Sequence, residues 1–164
     1  MTETQAYLFS DDVKAKINYW LSKYPHEQRQ SALLPTLHIV QDANQGWLPE
    51  PALQAVADYL QLPLIAVLEV ATFYTMYHLK PVGKHQIDVC TNVSCMLKGS
   101  DKIAHHLKKK LGINFNETTA DGKITLREVE CLAACAGAPA CMIDKTYHEN
   151  LTPESLDTIL SELA

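Results

Sequence analysis

The chain has 164 residues, 47% hydrophobic and 20% charged, with a formal net charge of −5; this is globular composition, enough for one domain of common size or two small ones. The acidic balance excludes a nucleic-acid binder, since the one basic run is Lys108-Lys109-Lys110. The start, Met1 to Tyr7, lacks the basic-then-apolar plan of a secretory signal and the Arg-rich plan of a transit peptide, and Leu62 to Leu68 is too short an apolar stretch to span a bilayer.

The first part of the chain reads as helical. Val13, Ile17, Trp20, Leu21 and Tyr24 recur at three- and four-residue steps behind Ser10-Asp11-Asp12, a capping region, and Pro25 closes the helix. Leu33, Leu37 and Val40 mark a second helix that stops before Gly46, with Pro35 in its first turns, where proline does least harm. Pro51 opens a third, carrying Val56, Tyr59 and Leu60. A fourth is expected from Leu64 to about Tyr77, ending before Pro81-Val82-Gly83. Phe73 on that helix is assigned to the core, whereas Tyr74 and Tyr77 suit either the core or a docking stripe.

Beyond residue 82 the periodicity changes. His85 to Val89 alternates as a strand, with Ile87 and Val89 on one side. Ile103, Leu107 and Leu111 mark a helix begun by Ser100-Asp101 and closed by Gly112, its three lysines complementing the dipole of the last turn. Asp121-Gly122 is a turn before the strand starting at Ile124, and Ala140–Ile143 with Thr146–His148 reads as a hairpin. Thr152-Pro153 caps a last helix with Leu156, Ile159, Leu160 and Leu163 on its apolar side. The fold class is therefore α+β: a helical bundle over residues 1–82, then an α/β domain over residues 83–164.

Chemistry concentrates in four cysteines, Cys90-x4-Cys95 and Cys131-x3-Cys135, each pair directly following a strand-like run. In a reducing cell interior, four such thiolates indicate a bound metal rather than disulfides. Tetrahedral zinc and a [2Fe–2S] cluster both take four thiolates. Structural zinc pairs are most often C-x2-C, and the wider C-x4-C loop favours the cluster, with a zinc-stabilised interaction module as the alternative. A thiol–disulfide enzyme wants a C-x-x-C, which is lacking here. Rieske ligation wants histidine–cysteine pairs, also lacking. His105 and His106 are adjacent on a helix and point to different faces, so they are assigned to solvent and not to a shared ion. The scattered glycines form neither G-x-G-x-x-G nor a P-loop, so no nucleotide or flavin site is legible.

The arrangement Cys90-x4-Cys95 … Cys131-x3-Cys135 resembles the thioredoxin-like [2Fe–2S] ferredoxin family. Gly46-Trp47-Leu48-Pro49, Glu69 to Tyr77, Pro81 to Lys84, Cys90-Thr91-Asn92, Asp121 to Leu126 and Val129 to Cys135 are similar to the small flavoprotein-fraction subunits of NADH:quinone oxidoreductases (respiratory complex I). The likeness runs from about Asp11 to Leu163, and diaphorase subunits of soluble NAD-linked hydrogenases and formate dehydrogenases share the same plan. It implies a thioredoxin-like second domain in which Cys90, Cys95, Cys131 and Cys135 hold one [2Fe–2S] cluster, two thiolates per iron, for one-electron transfer, with no catalytic side chain of its own. It also implies a partner subunit holding FMN and NADH, further iron–sulfur subunits of the peripheral arm, and a cytoplasmic location attached peripherally to the inner membrane through the complex. Small residues in the ligand loops, Ser94, Ala133, Ala134, Ala136 and Gly137, allow close backbone approach to such a cluster; Ala136 stands where many members of the family have glycine. Cys141 is a fifth cysteine in an apolar strand, and a buried packing role is expected of it.

Overall fold

A computed structural model of the chain describes residues 7–163. The polar start of the chain lies outside the described residues except for Tyr7. The chain divides into two compact units at the Pro81–Val82 step.

The first unit is helical: α1 (Asp11–Leu21), α2 (Leu33–Ala43), α3 (Glu50–Leu60) and α4 (Leu64–Phe73). Ser10 caps α1, its Oγ accepting from the Val13 N–H at 3.3 Å, which satisfies one of the donors a helix start leaves open. Ile17, Leu37, Val40, Val56, Leu60 and Val67 are fully buried and form its core. Side chains reach across to backbone groups that the helices leave unpaired. Arg29 donates to the carbonyls of Leu60 and Tyr59, both at 3.0 Å, at the C-terminal end of α3. Gln41 donates to the Met76 carbonyl at 3.0 Å and accepts from the His78 N–H at 2.8 Å.

Three expectations in this unit need correction. Helix α1 stops at Leu21 instead of reaching Tyr24, and a 3-10 segment, His26–Ala32, fills the gap to α2. Helix α4 stops at Phe73, not near Tyr77, because Tyr74 turns extended at φ −89° and ψ 122°. Phe73 therefore does not enter the core: it sits at the end of the helix, 77% exposed. The chain beyond it folds back, so that Tyr77 is buried and its hydroxyl donates to the Leu34 carbonyl at 2.9 Å.

The second unit is a five-stranded mixed sheet in the order β2-β3-β1-β4-β5. Its elements are β1 (His85–Cys90), α5 (Val93–Leu97), α6 (Ser100–Leu111), β2 (Glu117–Thr118), β3 (Ile124–Val129), β4 (Cys141–Ile143), β5 (Thr146–His148) and α7 (Pro153–Glu162). Strands β1 and β3 are parallel, joined by a crossover through α6, whereas β4 runs antiparallel to β1. Helices α6 and α7 supply Ile103, Leu107 and Leu156 to a core against Ile87, Val89, Leu126 and Ile143 of the sheet. Gly112 closes α6 in the left-handed conformation at φ 69°. Thr152 and Ser155 form a reciprocal capping box at α7. Gly83 marks the entry to β1, where a Cβ would lie 2.9 Å from the backbone of Ile124, and its N–H donates to Thr125 Oγ1 at 2.6 Å. Helix α5, five residues, and strand β2, two residues, are too short to carry a periodic signal in the sequence.

Candidate metal centre

Parallel register brings the two cysteine-bearing loops to the same edge of the sheet. Cys90, the last residue of β1, stands opposite Val129, the last residue of β3. Both strands thus end at the same edge of the sheet, the place where open α/β sheets present their ligand-binding loops. Cys131 follows two residues after Val129.

Side chains tie the first loop to the end of β3. Thr91 Oγ1 donates to Glu128 at 2.8 Å, and Asn92 Nδ2 donates to Glu130 at 3.1 Å. The Asn92 side chain also accepts from the Val93 N–H at 2.8 Å, opening α5, which carries Cys95. The Cys90 N–H donates to the Ala140 carbonyl at 3.2 Å, linking this loop to the second. As a result Cys90 and Cys95, each 2% exposed, share a small buried cluster with Ala138 and Ala140, against which Leu132 and Ala134 pack.

The second loop is held by its own backbone. The Ala133 N–H donates to Cys131 Sγ at 3.3 Å, and Ala133 adopts φ 60°, a left-handed conformation that costs a non-glycine residue energy. Cys131 and Cys135 are exposed, with their Sγ atoms 3.5 Å apart. Two metal–sulfur bonds of about 2.3 Å at a tetrahedral angle place their sulfurs roughly 3.7 Å apart, so this pair suits one metal ion without rearrangement. Gly137 completes the loop under a tight constraint: a Cβ there would sit 2.7 Å from the Cβ of Glu149 and run into its carboxylate. The Gly137 carbonyl accepts from the Asn150 N–H at 2.6 Å, which anchors the loop to the segment before α7.

The thiols influence one another electrostatically. Burial pushes the Cys95 thiol up, reinforced by its hydrogen bond with Cys90 and by the nearby Cys135. For Cys131 the Ala133 N–H pulls the thiol down, but the Cys135 hydrogen bond and the proximity of Cys135 and Cys90 leave it raised. Crowded thiols that resist ionising side by side are relieved when a cation takes their protons' place. Among the described residues no three His, Cys, Asp or Glu side chains close on one point as a single ion would require. The donor set, a pair on each of two loops, fits a binuclear group that takes two thiolates per metal.

The remaining sequence candidates lie elsewhere. Cys141 is fully buried in the core of the second unit beside Ile87, Val89 and Ile143, and burial pushes its thiol to about 12, helped by Asp88. His105 is exposed, as expected. His106 is not simply solvated: its Nε2 lies 2.8 Å from Asp157 of α7, which also pairs with Lys110 at 3.1 Å. The Thr91–Glu128 and Asn92–Glu130 ties and the Gly137–Glu149 wedge were missed from sequence, because they join residues distant in the chain that share no periodic pattern.

A mixed sheet whose two parallel strands each run into a loop bearing a cysteine pair is the plan of a thioredoxin-like protein. The model of the thioredoxin-like [2Fe–2S] ferredoxin family matches residues 17–164, and the chain belongs to that family. It is 50% identical over 143 residues to the E subunit of the NADH-quinone oxidoreductase of Rickettsia bellii, covering 87% of this chain and 86% of that one. It is 41% identical over 155 residues to the mitochondrial NADH dehydrogenase [ubiquinone] flavoprotein 2 of Dictyostelium discoideum, covering 94% of this chain and 63% of that one. The fold also matches part of an air-oxidised NAD+-reducing [NiFe]-hydrogenase structure with a TM-score of 0.69 at 23% identity, over 80% of this chain and 22% of that one. Among the described residues no helix is long and apolar enough to cross a membrane.

Proposed function

We propose that the chain is the electron-transfer subunit of an NADH:quinone oxidoreductase and that Cys90, Cys95, Cys131 and Cys135 hold its single [2Fe–2S] cluster. When bound, the cluster supplies a one-electron couple that makes and breaks no bonds. The chain's own residues determine where that couple sits and how it is reached. Cys90 and Cys95 anchor it from the buried side, in a dry setting of alanines and Leu132. Cys131 and Cys135 are on the exposed side, which makes their loop the side of electron entry. The Ala133 N–H donates toward a ligand sulfur, stabilising negative charge there.

The partner is a subunit that binds NADH and FMN, with further iron–sulfur subunits beyond it in the peripheral arm. The assembly is cytoplasmic and attached peripherally to the inner membrane. The observation that carries this reading is that each cysteine pair follows one of two parallel strands that end at the same edge of the sheet, supported by the names of relatives that cover most of the chain. Replacing any one of the four cysteines by Ala leaves one iron short of a thiolate, so the red-brown colour and the EPR signal of the reduced protein should be lost or become labile. If Cys135→Ala keeps a stable cluster while Cys141→Ala loses it, the fourth ligand is wrongly assigned.

A further inference from the structure

The face of the sheet opposite α6 and α7 carries two charges that neither core packing nor thiol placement requires. Along β1, Gln86, Asp88 and Cys90 alternate with the core residues Ile87 and Val89 and share the other face. Asp88 stands in register with Arg127 of β3 on one side and Met142 of β4 on the other. The two charged side chains are only 12% and 14% exposed, with Arg127 Nη1 at 3.6 Å from Asp88 Oδ1. That carboxylate oxygen has no hydrogen-bond partner among the described residues.

A buried ion pair with this geometry is a weak source of stability. Removing two charges from water costs several kcal/mol, which their attraction offsets only when hydrogen bonding is complete, and apolar residues of similar size commonly do as well or better. Position suggests another role. Asp88 lies two residues from Cys90 on the same strand face, about 7 Å along the strand. Arg127 lies two residues before Val129, the register partner of Cys90.

We propose that Asp88 and Arg127 form a tuning pair that sets the reduction potential of the one-electron centre held at Cys90; this rests on the ligand assignment above. Accepting an electron adds one unit of negative charge to the centre. A buried carboxylate nearby opposes that step and a buried guanidinium favours it, and both act strongly because little water screens them. Neither group touches a reacting atom, so both are positioning residues that act through their field.

The test is an EPR-monitored redox titration of the full chain, loaded with iron and sulfide, for wild type and four variants. Asp88→Asn should raise the midpoint potential and Arg127→Gln should lower it. The double variant should return close to wild type, and Arg127→Lys, which keeps the charge, should stay closer to wild type than Arg127→Gln. A merely structural role would move both single variants the same way through loosened ligation. Shifts of the same sign, no shift with the cluster intact, or Arg127→Lys behaving like Arg127→Gln would overturn the proposal. A wild-type chain that binds no iron would instead overturn the ligand assignment, and the tuning pair with it.

Discussion

Cys141 separates packing from ligation, because it is the one cysteine set in the core of the second unit, among Ile87, Val89, Ile143 and Leu156. Cys141→Ala removes one buried sulfur, comparable to deleting a methylene with partial collapse of the gap, and should cost about 1 kcal/mol. Cys141→Ser keeps the size but buries a hydroxyl among aliphatic side chains, which adds about 1–3 kcal/mol if the hydroxyl finds no partner. Both variants should keep the cluster spectrum.

The pH dependence adds a signed test. Burial raises the Cys141 thiol from its ordinary value of 9.0 to about 12. Above pH 9 the unfolded chain releases this proton while the folded chain keeps it, so the contribution is complete below pH 9 and is lost as pH rises toward 12. At pH 10 the loss is about 1.4 kcal/mol, and Cys141→Ala has no such loss. Urea unfolding under reducing conditions should therefore show the variant less stable than wild type at pH 7 and level with it near pH 10. A stability gap that does not change between those pH values, or loss of the cluster in Cys141→Ala, would refute this account of the residue.

Two further predictions concern the division of labour with the partner. The purified chain should not oxidise NADH, since it has no nucleotide or flavin fingerprint; turnover with contaminating flavoprotein excluded would contradict this. A chain beginning at Val82 should keep the [2Fe–2S] spectrum, because the second unit has its own core, yet bind the flavoprotein poorly. Stable interfaces need roughly 800 Å² from each side, and the helical unit offers exposed apolar residues such as Ile65 and Phe73 for that purpose. Equal co-purification of the truncated and full chains would rule out the helical unit as the docking element.

Periodicity located most elements in the sequence, because Val13 and Ile17, or Ile103 and Leu107, repeat on one helical face and are buried there. The end of α4 was not legible. Its sequence is apolar around most of the helix, broken only by Glu69 and Thr72, so nothing in the pattern marks the step at Tyr74 where the backbone turns extended. For the same reason the pattern assigns Phe73 to the core and leaves Tyr77 open, whereas Phe73 is exposed and Tyr77 buried. At the candidate site the cysteine spacing was legible, and so was the strand before each pair. The ties that aim the loops were not, since Asn92 with Glu130 and Gly137 with Glu149 depend on the parallel register and on the path into α7. The Asp88–Arg127 pair was hidden by strand alternation, which marks Asp88 only as a polar residue facing away from Ile87 and Val89.

Iron and acid-labile sulfide analysis of the purified full chain, prepared without oxygen, tests the central claim most directly. Two irons and two sulfides per polypeptide are expected, falling together when any one of Cys90, Cys95, Cys131 or Cys135 is replaced. One stoichiometric zinc with no sulfide would contradict the account.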